Sequence, residues 1–365
     1  MKIALIMAGG FGKRLWPESR VSYPKQFLKI DNDEESLLQA SYRRATHIFG
    51  LGNTYIVTRK ELEEAIVLQL PKLPQDNIIV EPQGKDTAPC IGFSSVWIKE
   101  KRGDVPITVL PADHIIKNEE KFAHIILAAV QQAEKDFLVT IGIKPTRVET
   151  GYGYLRIGKK IGKLNNLSLF KIDRFTEKPS YKKAKEFFEQ GNFLWNAGIF
   201  AWKPSIILNE IKKFLPDIYK GLNKIERALK IDENKDKRNE IIKEVYSSFP
   251  KISIDYGVME KSSSVVAIPA DCFFWDDIGS WQSLERILSK DKEGNIIRGV
   301  IKGIENNNCT LMNKEDKILG AIGLSNLIVI NTKNGILVVN KDKAPKVKDL
   351  VDRLLSDKRF KKYVQ

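Results

Sequence analysis

The sequence predicts an α/β fold, a doubly wound and mostly parallel sheet followed by a small C-terminal β-rich extension. Three observations carry that prediction. Over residues 1–145, short apolar runs alternate with longer amphipathic ones, the order expected of stacked βαβ units. The first apolar run, Ile3 to Ala8, passes straight into Gly9 and Gly10, and a strand that ends in a glycine turn commonly opens such a sheet. After about residue 290, short strand-like runs dominate, two of them joined by an Asn334-Gly335 turn.

Taken in order, the strand candidates are Ile3 to Ala8, Tyr55 to Thr58, Ile78 to Glu81, Ile107 to Leu110 and Leu138 to Ile143. Between them lie helix candidates. In Ser36 to Phe49, the residues Leu38, Tyr42, Ala45 and Phe49 recur at near-helical spacing, and a second helix is expected from Glu119 to Glu134. From Gly151 the pattern loosens into a segment read as an insertion over the sheet edge. It holds a short helix that Ser180 can cap and Gly191 can end. Residues 208–245 are helical and highly charged and read as a surface subdomain. The C-terminal hairpin pairs Leu327 to Ile330 with Ile336 to Val339, and a final amphipathic helix carries Val347, Leu350, Val351 and Leu354. No internal repeat is evident. The chain divides into residues 1–288 and an extension over 289–365 that is expected to pack on the main domain.

The 365 residues, 42% of them hydrophobic, can bury a sizeable core. A formal charge of +14 favours anionic partners. The cations are dispersed in mixed-sign stretches such as Lys182-Lys183-Ala184-Lys185-Glu186, so most read as solvated surface, and no nucleic-acid partner is expected. Cys90, Cys272 and Cys309 are too few and too scattered for a disulfide framework, which fits a reducing cytoplasm. The apolar N-terminus meets glycines and charges within a few residues and reads as a buried strand, not a signal peptide. No run approaches the ~20 apolar residues of a membrane span, so no membrane partner is expected.

The chemistry concentrates at the sheet edge where ligands of doubly wound folds bind. Gly9, Gly10 and Gly12 let the backbone turn sharply with its N–H groups converging, an anion-binding nest suited to phosphate. The spacing is neither G-x-G-x-x-G, because residue 15 is Leu, nor the P-loop pattern. Lys13, Arg14 and Lys25 add three cations nearby, and Arg forks onto phosphate oxygens where Lys supplies a point charge. Asp113 closes the fourth apolar run, and Asp276-Asp277 lies in an aromatic setting. Mg²⁺ takes one or two protein carboxylates and completes its octahedron with phosphate and water, and Asp113 with Asp277 could supply them. Alternatively Asp276 or Asp277 caps the helix that begins near Ser280. The three histidines, of which only His114 is near these residues, argue against general-base chemistry. A phosphate monoester attacking phosphorus needs no base, only alignment and cations.

Nine segments in order resemble the sugar nucleotidyltransferases, and among them the bacterial mannose-1-phosphate guanylyltransferases. They are Ala8 to Pro17, Pro24 to Leu28, Glu81-Pro82 with Thr87-Ala88-Pro89, Leu110 to His114, Thr150 to Tyr154, Glu177-Lys178-Pro179, Trp195 to Gly198, Asp255 to Lys261 and Trp275 to Trp281. The resemblance implies a Rossmann-like nucleotidyltransferase fold, with residues 1–288 as the catalytic domain. It implies formation of GDP-mannose and pyrophosphate from GTP and mannose 1-phosphate with Mg²⁺. Gly9, Gly10 and Gly12 would hold the triphosphate, with Ala8 and Lys13 in the same nucleotide-binding loop and Arg14 and Lys25 on the phosphates. Asp113 and Asp277 would bind the metal. Lys178 would face the sugar phosphate, and Gly151, Glu177 and Asn196 the sugar. Guanine would lie near Glu81, Asp86, Thr87 and Pro111.

Two positions depart from the family. Lys13 stands where a small or polar residue is usual, and Lys85-Asp86 where Arg-Asn is common. An Asp can accept hydrogen bonds from guanine N1 and N2 but cannot donate one to O6. Many relatives also carry a cupin-like isomerase domain that this sequence lacks, so no phosphomannose isomerase activity is expected. A homodimer is compatible with the resemblance. The alternatives are a thymidylyl- or uridylyltransferase acting on glucose 1-phosphate and a noncatalytic nucleotide-sugar-binding regulator. The presence of Arg14, Asp113 and Asp277 speaks against the regulator.

Overall fold

The computed structural model describes residues 1–31, 34–164, 167–231 and 234–365. They form two compact units, one of Met1–Gly9, Ser41–Ala112 and Ile116–Trp275, the other of Gly10–Ala40, Asp113–Ile115 and Asp276–Gln365.

Up to residue 276 the strands are β1 (Ile3–Met7), β2 (Thr54–Arg59), β3 (Ile78–Glu81), β4 (Ile107–Pro111), β5 (Ile115–Lys117), β6 (Leu138–Ile143), β7 (Tyr154–Leu164), β8 (Leu167–Thr176), β9 (Phe193–Trp202), β10 (Val265–Ala270) and β11 (Phe274–Asp276). The helices are α1 (Leu37–Phe49), α2 (Glu63–Gln69), α3 (Thr87–Arg102), α4 (Glu119–Ala133), α5 (Tyr181–Gln190), α6 (Pro204–Phe214), α7 (Pro216–Leu229) and α8 (Lys235–Ser247).

Among the described residues, the first unit is built on a nine-stranded sheet of order β3-β2-β1-β4-β9-β6-β10-β8-β7. Strands β1 to β4 are parallel, as the βαβ pattern predicts. Following the pairings across the sheet, seven strands run one way, and only β8 and β9 oppose them. Strand β9 enters between β4 and β6, antiparallel to both. It is buried along nearly its whole length, and strands covered on both faces read as continuous apolar runs. Its pairing with β6 shifts register between Thr140 and Gly142, and a Cβ at Gly142 would stand 2.5 Å from the Leu194 side chain.

Two expectations are corrected here. In the stretch from Gly151, α5 packs on the sheet through Phe187 against Phe193, but β7 and β8 do not lie over it; they extend it. Only two residues separate them, too few for a parallel crossover, so they pair antiparallel. Residues 208–245 are not a surface subdomain either. Helices α6, α7 and α8 send Leu208, Ile211, Ile218, Leu222, Ile225, Ile242 and Tyr246 into the main core, where each aliphatic side chain contributes about 1.5–3 kcal/mol. Their charges occupy only the opposite faces. The helices pack closely, since a Cβ at Gly92 on α3 would meet Leu222 at 2.7 Å.

The second unit holds β12 (Ile296–Arg298), β13 (Ile301–Ile304), β14 (Thr310–Asn313), β15 (Leu319–Ile322), β16 (Leu327–Thr332), β17 (Gly335–Asn340) and α9 (Val347–Ser356). The predicted hairpin forms, but its two-residue turn is Lys333-Asn334, one residue earlier than expected, with Thr332 opposite Gly335. Strands β12, β14 and β16 pair in parallel, as do β13 and β15. Successive coils place Ile301 beside Leu319, Asn307 beside Ser325 and Thr310 beside Ile328. Each pair is 18 residues apart, so the extension does contain a repeat. Its signature is polar: Asn331 donates to Asn313 (2.8 Å) and Asn308 to Asn326 (3.1 Å), each across 18 residues. Buried Asn306 bonds to Ala321 and Leu324 of the next coil, which satisfies backbone groups that a tight coil leaves unpaired. A search for apolar periodicity passes over an asparagine ladder.

Candidate active site

In the second unit, Gly12 has φ 69°, a left-handed conformation, and a Cβ there would lie 2.4 Å from the Lys25 Cβ. Both facts require glycine. The Ser19 hydroxyl donates to the Gly12 carbonyl at 2.6 Å and fixes the loop from within. Residues Lys13–Leu15 follow as a short helical turn, with Leu15 buried and Arg14 exposed.

Lys25 is 8% exposed. Its ammonium donates to Asp113 Oδ2 at 2.7 Å and to the Asp277 backbone carbonyl. Burial raises the proton affinity of Asp113, but the Lys25 ammonium, with His114, outweighs it and holds this carboxyl below its usual range. Gly12, Arg14, Lys25, Asp113 and Asp277 line one cavity of about 390 Å³. The Lys25 ammonium thus bridges the Asp113 carboxylate and the Asp277 backbone carbonyl. Their donors are hard oxygens, the kind Mg²⁺ prefers, so these residues fit a divalent ion completed by phosphate and water. No group of three or more His, Cys, Asp or Glu that could hold a metal ion occurs among the described residues.

The adjacent aspartates differ in kind. Asp276 is 2% exposed, and Arg286 reaches both its oxygens, at 2.5 and 3.0 Å. The Ile278 N–H donates to it as well (2.8 Å). It is a structural anchor with little capacity for a metal. Neither aspartate caps the following helical turn, because Ser280 does so in a reciprocal box with Ser283. Asp277 is the one on the cavity.

Lys13, expected in the nucleotide loop, pairs with Asp352 on α9 at 2.6 Å, its ammonium 5.7 Å from the Phe11 ring centroid. Further contacts tie the loop segment to the C-terminal residues within this unit. Trp16 Nε1 donates to the Tyr363 carbonyl (3.0 Å), Trp281 Nε1 donates to the Trp16 carbonyl (2.9 Å), and the Val21 N–H bonds the Val364 carbonyl (2.9 Å).

Gly10 opens the second unit and is exposed, and the other remaining predicted residues lie in the first. Ala8 is held by Val57 and Thr58 of β2, at 2.9 and 3.1 Å. A Cβ at Gly9 would stand 3.2 Å from Glu81 Oε1, so the loop entry needs a small residue above that carboxyl. Glu81 is buried and accepts from Tyr246 at 2.7 Å. Burial, against the opposing Arg59 charge, pushes its carboxyl up to about 7. Asp86 spends one oxygen on the Thr87 N–H (2.8 Å) as the N-cap of α3, and the Thr87 hydroxyl accepts from the Ile254 N–H (2.8 Å). The Pro111 carbonyl accepts from Ser41 at 3.1 Å. In this group the side chains of Glu81 and Thr87 are committed to protein partners.

The sugar-side candidates converge. Lys178 pairs with Glu177. A Cβ at Gly153 would be 2.5 Å from Glu177 Oε2, so that glycine makes room for the carboxylate. Asn196 accepts from Thr140 (2.9 Å) and donates to Asp255 (2.9 Å), with its amide orientation fixed by both. The Gly151 N–H donates to Glu149 at 3.0 Å. Burial, reinforced by Glu177 and opposed by Lys178, pushes Asp255 up to about 7. Asp255 was not singled out from sequence, although its segment was. The signal for it would have been an acid beside a polar residue at the head of an otherwise apolar run.

Against known families, residues 3–294 match the nucleotidyl transferase model, and residues 300–354 match the mannose-phosphate isomerase/GMP-like β-helix domain. The chain is 35% identical over 361 residues to the mannose-1-phosphate guanylyltransferase of Klebsiella pneumoniae, covering 98% of this chain and 75% of that one. It is 37% identical to that of Salmonella typhimurium, over 98% and 73%. Among solved structures, mannose-1-phosphate geranyltransferase from Thermus thermophilus superposes with a TM-score of 0.85 at 33% identity, over 97% of this chain and 99% of that one.

Proposed function

The chain belongs to the nucleotidyl transferase family, and on that premise we propose that it joins GTP to α-D-mannose 1-phosphate, forming GDP-mannose and pyrophosphate. The observation that carries this reading is the Lys25 ammonium held between Asp113 and Asp277 beside the glycine loop, in one cavity with Arg14. In this reading Asp113 and Asp277 hold Mg²⁺, which when bound offsets charge on the phosphates. Gly9, Gly10 and Gly12 present N–H groups to the triphosphate, Arg14 forks onto its oxygens, and Lys25 supplies a point charge. The sugar phosphate is already an anionic nucleophile. It attacks the α-phosphorus in line, pyrophosphate leaves, and no general base takes part. Lys178 orients the sugar phosphate, and Glu177, Asn196, Gly151 and Asp255 take the sugar hydroxyls. Asp86 and Pro111 lie at the base, with Glu81 and Thr87 as positioning residues behind them.

Residues 1–288 are the catalytic domain in this reading and 289–365 the β-rich extension. A cytoplasmic setting agrees with three free cysteines, and a homodimer is part of the same proposal. No described helix is long and apolar enough to cross a membrane. The test is pyrophosphate release with Mg²⁺ across GTP, dTTP, UTP, CTP and ATP, each against mannose 1-phosphate and glucose 1-phosphate. Preference for GTP with mannose 1-phosphate is expected. Faster turnover of dTTP or UTP with glucose 1-phosphate would move the substrate assignment, and no turnover with any pair would end the enzymatic reading.

A further inference from the structure

We propose that Lys348, on α9 of the C-terminal β-helix module, is a phosphate-binding residue of the nucleotide loop. This extends the functional reading above, since it names a further residue for the same site. Lys348 lines the same cavity of about 390 Å³ as Gly12, Arg14, Lys25, Asp113 and Asp277, although it lies more than 300 residues from the loop in sequence.

The charges around that cavity show why it matters. Lys25 is engaged by Asp113 and the Asp277 carbonyl, and Lys13 by Asp352. Arg14 and Lys348 are both exposed and have no hydrogen-bond or ion-pair partner among the described residues. A nucleoside triphosphate brings several negative charges. Lys348 feels the Asp352 carboxylate one turn along α9 but is not hydrogen-bonded to it. Two cations on one cavity wall with no direct protein partner, one a fork and one a point charge, are the recognition chemistry of a polyphosphate.

The module holds Lys348 in place. Val347 and Val351 are 2% and 0% exposed and root α9 in the unit. Asp352, one helical turn beyond Lys348 on the same face, grips Lys13 of the loop at 2.6 Å. The Trp16–Tyr363 and Val21–Val364 bonds fix the residues that follow α9. The departure at Lys13 thereby gains a reason: it pins to the loop the helix face that carries Lys348. The ligand is a polyphosphate with its metal, shared by the nucleotide substrate and the pyrophosphate product.

The experiment is calorimetric titration of wild type, Lys348→Ala, Lys348→Arg and Lys343→Ala, using magnesium pyrophosphate and, separately, mannose 1-phosphate. Lys348→Ala is expected to weaken pyrophosphate binding about tenfold, the scale of one charge-assisted phosphate contact, and Lys348→Arg to recover most of it. Lys343→Ala, an exposed lysine of the preceding turn, controls for general surface charge and should bind as wild type does. Mannose 1-phosphate affinity should stay the same in all four. Equal pyrophosphate affinity in wild type and Lys348→Ala overturns the assignment, as does an equal loss in Lys343→Ala or a wild type that binds no pyrophosphate. A wild type that binds pyrophosphate through Lys348 yet turns over no nucleotide defeats the functional reading and leaves the assignment standing.

Discussion

Asp113, beside the glycine loop, and Asp255, beside Asn196, are held in opposite electrostatic states. Asp113 faces the Lys25 ammonium at 2.7 Å, opens onto a cavity, and has its proton affinity lowered. Asp255 is half-buried beside Glu177, bonded to the Asn196 amide, and pushed up to about 7. A carboxylate kept ionised by a neighbouring cation suits metal and phosphate chemistry. One kept near neutrality in a hydrogen-bond network can both donate and accept, as sugar hydroxyls require. The first arrangement is one of charge neutralisation, the second one of orientation, and each can be broken separately.

The largest effect should come from Asp113 and Asp277. Asp277→Ala and Asp113→Ala should each reduce kcat by about 10³-fold or more and abolish the dependence of rate on Mg²⁺ concentration, because electrostatic stabilisation of transferring phosphate is lost. Asp276→Asn should behave differently despite its adjacency. Its carboxylate is saturated by Arg286 and the Ile278 N–H, so the cost falls on stability, about 3 kcal/mol for breaking a buried pair, with the Mg²⁺ dependence of the remaining folded enzyme unchanged. Full activity in Asp277→Ala would remove that residue from the metal.

On the other side, Lys178→Ala should raise KM for mannose 1-phosphate by about 10–100-fold while leaving KM for GTP within twofold, consistent with loss of one charge-assisted phosphate contact. A parallel rise in both constants would show that the two groups of residues are not separable in binding.

The same contrast explains what could be read from the sequence. Strands β1 to β4 and the glycine loop are local features, an apolar run and the turn that ends it, and they lie where the sequence placed them. Asp113 was legible because it closes such a run. The sheet's second half was not, since β9 joins β4 to β6 from some 50 residues away and no local pattern encodes an antiparallel insertion. Helices α6 to α8 misled through their charge, which fills one face while the other is core. The distinct role of Asp276 depends on Arg286, and that of Asp255 on Asn196, partners that only folding selects. The 18-residue coil is marked by asparagines, outside any search for apolar periodicity.

The two groups should also differ in their response to pH, with a smaller effect. The carboxyls of Asp255 and Glu81, ordinarily near 3.8 and 4.5, are raised to about 7 in the folded chain, so the folded state retains protons that the unfolded state has released. That contribution is fully present below about pH 4 and is lost as pH rises through 7. Asp113 runs the other way, its contribution present above the ordinary carboxylate range and lost as pH falls through its lowered value. Between pH 5.5 and 8 the melting temperature should therefore fall, and Asp255→Asn should flatten part of that decline by a few degrees, as calorimetry at several pH values would show. A melting temperature that rises over this interval would contradict the buried acids as the controlling groups.

The smallest effect belongs to Lys13, and its smallness is informative. Although it lies inside the glycine loop, its ammonium is spent on Asp352, in a pair whose side chains are 31% and 46% exposed. Exposed pairs of this kind contribute little and are screened by salt. Lys13→Ala should thus lower the melting temperature by no more than about 2 °C. It should raise KM for GTP less than threefold, far below the effect of Lys25→Ala, and both changes should shrink in 0.5 M NaCl. If Lys13→Ala matched Lys25→Ala in its loss of GTP affinity, Lys13 would itself be a phosphate ligand, and the line between cations that hold the loop together and cations that meet the nucleotide would have to be redrawn to include it.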